Sequence, residues 1–201
     1  MSERLGVFGG TFDPIHVGHL IIAQEAYDRL GLSRVVFVPA RVSPLKRSTT
    51  LFSPERRVEM ACAAVASDPR FAVSTVDLDR PAPSYTVDTL RLIREQVAAD
   101  AQLYFILGVD SLLTFGHWYQ PEEIIRLARL AVITRPGYTL DLASLDRQLP
   151  GLAAASDVIE GVQVGISATD LRQRLQSGAS VRYYVTEPVW SLLQRYQSED
   201  R

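Results

Sequence analysis

Gly6-Val7-Phe8-Gly9-Gly10-Thr11-Phe12-Asp13-Pro14-Ile15-His16-Val17-Gly18-His19-Leu20 is the stretch from which the chain can be read in both directions. It reads as the end of a buried strand, a glycine-rich turn and the start of a helix. Leu5, Val7 and Phe8 are apolar residues that suit a short strand. Gly9-Gly10 permits a sharp turn and a close approach of backbone to ligand. Asp13-Pro14 marks a loop, and Val17, Leu20, Ala23, Tyr27 and Leu30 then recur at helical spacing. A helix that starts just after a strand leaves free N–H groups and a positive dipole end, a ready anion site. His16 and His19, three apart, share a face if both lie in the first turn, and each can donate to phosphate oxygens. Gly18 removes a side chain where a bulky ligand would approach.

Gly31 closes this helix, and Arg34-Val35-Val36-Phe37-Val38-Pro39 follows as a continuous apolar run, as in a strand covered on both faces. Strand, helix and strand over about 35 residues make a βαβ unit, whose right-handed crossover sets the strands parallel. Arg41, Lys46 and Arg47 lie in the loop beyond the second strand, at the end of a parallel sheet where ligands bind. Ser53-Pro54-Glu55 is a helix start, with Val58, Ala61, Cys62 and Val65 as its buried stripe. Arg56 and Arg57 read as surface charges, and residues 71–76 alternate like a third strand.

The chain shows no internal repeat, and its second half carries further strands and helices. Prolines stiffen Arg80-Pro81-Ala82-Pro83-Ser84-Tyr85 ahead of a helix for which Thr86 is the expected N-cap. Residues 103–108 form another buried strand, and Asp110 beyond Gly108 can accept from ribose hydroxyls or cap a helix. Trp118, in the aromatic turn 115–119, can fill the core or stack on a flat ring, and His117 reads as local structure. Residues 130–134 read as a fifth strand; Arg135 beyond it could reach a phosphate or pair with an acid. Residues 139–160 read as one short helix and mixed loop. Ser167 is a further N-cap, and Ser167, Thr169 and Arg172 around one helix start form a second phosphate site.

Composition narrows the class. The 201 residues suit one domain, 1–201, with a sizeable core. A net charge of −2 argues against a surface built for nucleic acid. The single cysteine, Cys62, excludes an internal disulfide. Neither a signal-like start nor a membrane-spanning apolar run is seen, so the expected location is the cytoplasm, with no membrane partner.

The first stretch, in the form Gly-Gly-Thr-Phe-Asp-Pro-x-His-x-Gly-His, resembles the T/HxGH nucleotidylyltransferases, and among them the bacterial nicotinate mononucleotide adenylyltransferases. Pro44-Leu45-Lys46, Pro83-Ser84-Tyr85-Thr86, Gly108-Val109-Asp110, Trp118 and Ile166-Ser167-Ala168-Thr169-Asp170-Leu171-Arg172 follow in that family's order. The resemblance implies a Rossmann-like, doubly wound parallel α/β sheet, one domain with a small C-terminal helical part. It implies transfer of AMP from ATP to nicotinate mononucleotide, with pyrophosphate released and Mg²⁺ delivered with ATP. His16, His19, Lys46 and Arg172 are the expected catalytic residues. Gly9, Gly10, Thr11, Phe12, His16, Gly18, His19, Gly108, Asp110, Ile166, Ser167, Thr169 and Arg172 are expected at ATP. Thr11, Lys46, Tyr85, Thr86, Trp118 and Arg135 are expected at the mononucleotide, with the carboxylate on the backbone of Tyr85-Thr86 and the ring on Trp118. No resident metal site is expected, and homo-oligomerisation is left open. The rival readings are an adenylyltransferase for nicotinamide mononucleotide or phosphopantetheine, a non-catalytic nucleotide-binding regulator, and a metal hydrolase using His16 and His19.

Overall fold

Strand β1 (Arg4–Gly10) runs through the middle of a six-stranded sheet, in a computed structural model that describes residues 2–42, 50–134, 137–162 and 164–199. From β1 the chain enters helix α1 (Val17–Leu30) and returns as β2 (Arg34–Pro39), parallel to β1 with Val7 opposite Val36. Gly31, at φ 57°, ends α1 in the left-handed region that glycine adopts without strain. Helix α2 (Pro54–Val65) and the short strand β3 (Phe71–Val73) complete this half. The alternating pattern over 71–76 thus yields a strand half as long: the Ser74 N–H makes a last backbone bond to the Phe37 carbonyl of β2 at 2.9 Å, and Leu78 and Asp79 then turn back onto Thr75.

The chain then crosses back through α3 (Thr86–Glu95) to β4 (Gln102–Gly108), which pairs with the other side of β1. Outward from there run α4 (Val109–Leu112), α5 (Pro121–Leu127), β5 (Arg129–Thr134), α6 (Leu142–Gln148), α7 (Leu152–Ala155) and β6 (Ser156–Glu160). Helices α8 (Ala168–Gln176) and α9 (Glu187–Glu199) follow. The strand order is β3-β2-β1-β4-β5-β6, all parallel. This is the doubly wound order, and it opens a crevice where β1 and β4 send their connections to opposite sides.

Period-two alternation sorts each strand between two cores. Phe8, Val35, Phe37, Tyr104, Ile106 and Ile133 join residues of α1, α2, α8 and α9 on one face. Val7, Val36, Val38, Leu103, Phe105, Leu107 and Val132 join residues of α3, α5 and α7 on the other.

Residues 139–160 correct the expectation of one short helix and loop: they hold α6, α7 and the edge strand β6. Each element is only one or two turns or a few residues long, too short to print a period. The buried stripe of α2 is also displaced. Arg57, Met60, Ala61 and Val65 are buried, and Cys62 is exposed. Among the described residues no helix is long and apolar enough to cross a membrane.

Candidate active site

The loop from β1 to α1 is shaped differently from a glycine turn. Gly9 and Gly10 still belong to the strand, and the left-handed residue is Phe12, at φ 49°. Gly10 is needed for space: a Cβ there would lie 2.8 Å from the Phe12 ring. Gly18 likewise makes room inside the protein, since a Cβ would lie 3.0 Å from Nδ1 of His16.

His16 stands at the N-cap of α1 and His19 in its first turn, with stacked rings, centroids 3.7 Å apart and planes at 26°. The His16 backbone N–H donates to Nδ1 of His19 at 3.2 Å, and the His19 N–H donates to the His16 carbonyl at 2.9 Å. A neutral His19 whose Nδ1 accepts carries its proton on Nε2, as a donor. Phe12 meets the His19 ring edge-on, with centroids 5.0 Å apart.

The later motifs are brought to this loop. The Ser167 hydroxyl caps α8 by accepting the Asp170 N–H at 3.1 Å. The Arg172 guanidinium donates to the Asp13 carbonyl at 3.1 Å and to the Thr169 hydroxyl at 3.2 Å. A side chain 159 residues further on therefore ties α8 to the loop between β1 and α1. Ile166 packs against the core beside α8. Gly108 ends β4 and takes the N-cap place of α4, so Asp110 lies within that helix's first turn instead of capping it. Lys46 and Arg135 lie outside the described residues.

A cavity of about 630 Å³ opens at the crevice, within the size range of small-molecule sites. Gly9, Gly10, Thr11, Phe12 and His19 line one part, and Ser84, Tyr85, Thr86 and Trp118 another. Of α8, Ala168 reaches the lining. Tyr85, not Thr86, occupies the N-cap of α3, and Thr86 is its first helical residue. Trp118 stands nearly edge-on to Phe105, with centroids 6.0 Å apart, and inclined to Phe115. It thus serves the core and the cavity together. His117, read from sequence as local structure, also lines the cavity.

Two buried charges of the surround escaped the sequence reading. The Asp13 carboxylate accepts the N–H groups of Leu51 and Phe52 at 2.8 and 3.0 Å. Arg57 is fully buried and donates to the carbonyls of Thr11 (2.7 Å), Ala40 (2.7 Å), Arg41 (3.0 Å) and Phe52 (3.3 Å). Burial pulls its pKa down, opposed by the charges of Asp13 and Glu55. Helical spacing from Met60, Ala61 and Val65 was the available signal for Arg57.

Residues 7–174 match the cytidylyltransferase-like family. A protein of Roseiflexus castenholzii is 45% identical over 188 residues, 94% of each chain. One from Thermus thermophilus is 44% identical over 193 residues, 96% of this chain and 97% of the other. Both bear the name probable nicotinate-nucleotide adenylyltransferase. Among solved structures, the Plasmodium falciparum nicotinic acid mononucleotide adenylyltransferase complexed with NaAD shares the fold at a TM-score of 0.76. It is 18% identical, over 98% of both chains. The sheet order, the histidine loop and these likenesses converge: the chain belongs to the cytidylyltransferase-like family and, within it, to the nicotinate-nucleotide adenylyltransferases.

Proposed function

We infer that this protein transfers AMP from ATP to nicotinate mononucleotide, giving nicotinate adenine dinucleotide and pyrophosphate. The observation that carries the reading is one cavity lined both by the Gly9–Phe12 loop with His19 and by Tyr85, Thr86 and Trp118. The first group suits phosphates, and the second suits an acidic aromatic ring. The relatives' names point to the same pair of substrates.

The chemistry needs little from the protein beyond placement. The mononucleotide 5′-phosphate is largely a dianion at neutral pH, since its second pKa is about 6. It attacks the α-phosphorus of ATP without a base, and pyrophosphate leaves in line. His16 and His19 donate hydrogen bonds to phosphate oxygens, and Arg172 and Lys46 oppose the charge that gathers on the leaving group. The first turn of α8, capped by Ser167, offers further N–H donors to the triphosphate. Gly108 and Asp110 serve the adenosine half. The N-terminus of α3 takes the nicotinate carboxylate, and Trp118 takes the ring.

Mg²⁺ fits as part of the nucleotide. The Asp13 carboxylate of the histidine loop is already taken up by the Leu51 and Phe52 N–H groups, and the histidines and Arg172 beside it offer nitrogen, whereas this cation seeks oxygen. It would therefore be held mainly by triphosphate oxygens, where it neutralises charge. The test is pyrophosphate release with ATP and Mg²⁺, with nicotinate mononucleotide, nicotinamide mononucleotide and phosphopantetheine offered separately. Preference for the nicotinate substrate is expected. Preference for the amide would overturn the ring reading, and no release with any substrate would overturn the function.

A further inference from the structure

One carboxylate in the cavity wall has no part in that scheme. Asp77 is only 4% exposed and lines the cavity beside Tyr85 and Thr86. Its Oδ1 accepts from the Thr89 hydroxyl at 2.7 Å and from Nε and Nη2 of Arg80 at 3.0 and 2.8 Å. Burial pushes this carboxyl's pKa up, and the bonds from Thr89 and Arg80 work against that push.

Arg80 extends the network to the backbone. It donates to the carbonyls of Pro83 and Tyr85, each at 3.1 Å. The Tyr85 carbonyl also accepts the N–H groups of Asp88 and Thr89, the first backbone bonds of α3. Carbonyl and amide of one peptide lie in a plane and point in opposite directions. Fixing the Tyr85 carbonyl therefore fixes the aim of the Thr86 N–H, which belongs to the same peptide. Arg80 is also paired with the buried carboxylate at 2.8 Å, so it offsets a charge in the cavity wall that would repel an acid.

We propose that Asp77 and Arg80 are a positioning pair that acts through the Tyr85–Thr86 peptide to set the preference for an acidic over an amide pyridine ring. The proposal rests on the nicotinate reading of the site. The pair differs from the ring-contacting residues because it works on the ligand's charge from behind the backbone. Arg80→Lys loses the fork that spans the carboxylate and two carbonyls. Asp77→Asn keeps an acceptor for Thr89 and Arg80 but removes the opposing charge.

The experiment compares kcat/KM for nicotinate and nicotinamide mononucleotide, and KM for ATP, in the wild type and three variants, with thermal unfolding as a folding check. A wild type that ignores nicotinate mononucleotide would overturn the functional reading itself. Given an acid-preferring wild type, Arg80→Lys should lower the acid-to-amide ratio at least fivefold and leave the KM for ATP within twofold. Asp77→Asn should raise the ratio at least twofold. The double variant should return the ratio to within twofold of the wild type. A ratio unchanged in Arg80→Lys, or a parallel rise in the KM for ATP, would overturn the proposal. Should Arg80→Lys fail to fold, Asp77→Asn alone decides: an unchanged or lowered ratio would overturn it.

Discussion

His19 is held on several sides, by the stacked His16 ring, the edge of Phe12 and the His16 backbone N–H. A half-buried side chain held this firmly is pre-organised to donate at one point in the cavity. His19→Ala should lower turnover about 100-fold or more, the order found when one donor to a developing anion is removed. Its denaturant midpoint should stay near the wild-type value; near-normal turnover in the folded variant would sink the assignment. The histidines were legible because their spacing alone places them on one helix start. Phe12 was not: nothing in a phenylalanine codon announces a positive φ, and the adjacent glycines were the natural suspects. Arg57 was hidden for a different reason. A guanidinium on an amphipathic helix reads as solvated unless its carbonyl acceptors are known, and those come from three separate stretches.

Elements with their own punctuation were readable. Ser53-Pro54 caps α2, Gly31 ends α1 and Ser167 caps α8, each where local chemistry demands. The docking of α9 on α2 was not readable, because it depends on contacts more than 130 residues apart. There the Tyr196 hydroxyl donates to Glu59 at 2.5 Å, and Arg195 donates to the other carboxylate oxygen at 2.5 Å. Burial and the Glu59 charge push the Tyr196 phenol up to about 12 from 10.0. Between those values the unfolded chain has lost the proton and the folded chain keeps it. The contribution is therefore full below pH 10 and falls as pH rises toward about 12. Glu59 has the opposite sense: bonds from Tyr196 and Arg195 lower its pKa, so its contribution is lost as pH falls through the folded value. Urea unfolding across pH should show a steeper alkaline decline in the wild type than in Tyr196→Phe. Parallel alkaline limbs would count against this account.

At the scale of the whole molecule, the two-core arrangement follows from strands that are apolar on both faces, and this much was visible in the run 34–39. The strand order was not read from the sequence, since no residue states its neighbour; family likeness implied only a doubly wound parallel sheet. It implies a gradient of protection. Strands β1 and β4 are paired along both edges and covered on both faces, while β3 and β6 each lie at an edge of the sheet. Native-state hydrogen exchange should be slowest in Leu5–Phe8 and Leu103–Leu107 and faster in β3 and β6 by at least tenfold. Uniform exchange across the sheet would contradict this picture. The Arg57 bonds have a separate consequence, in the language of heredity. Every acceptor is a main-chain carbonyl, which any amino acid supplies. Drift at positions 40, 41 and 52 therefore leaves the partners intact, while position 57 has no chemical synonym. In a saturation library position 57 should be intolerant, whereas any intolerance at positions 40 and 52 would come from the packing of their buried side chains and not from the Arg57 bonds.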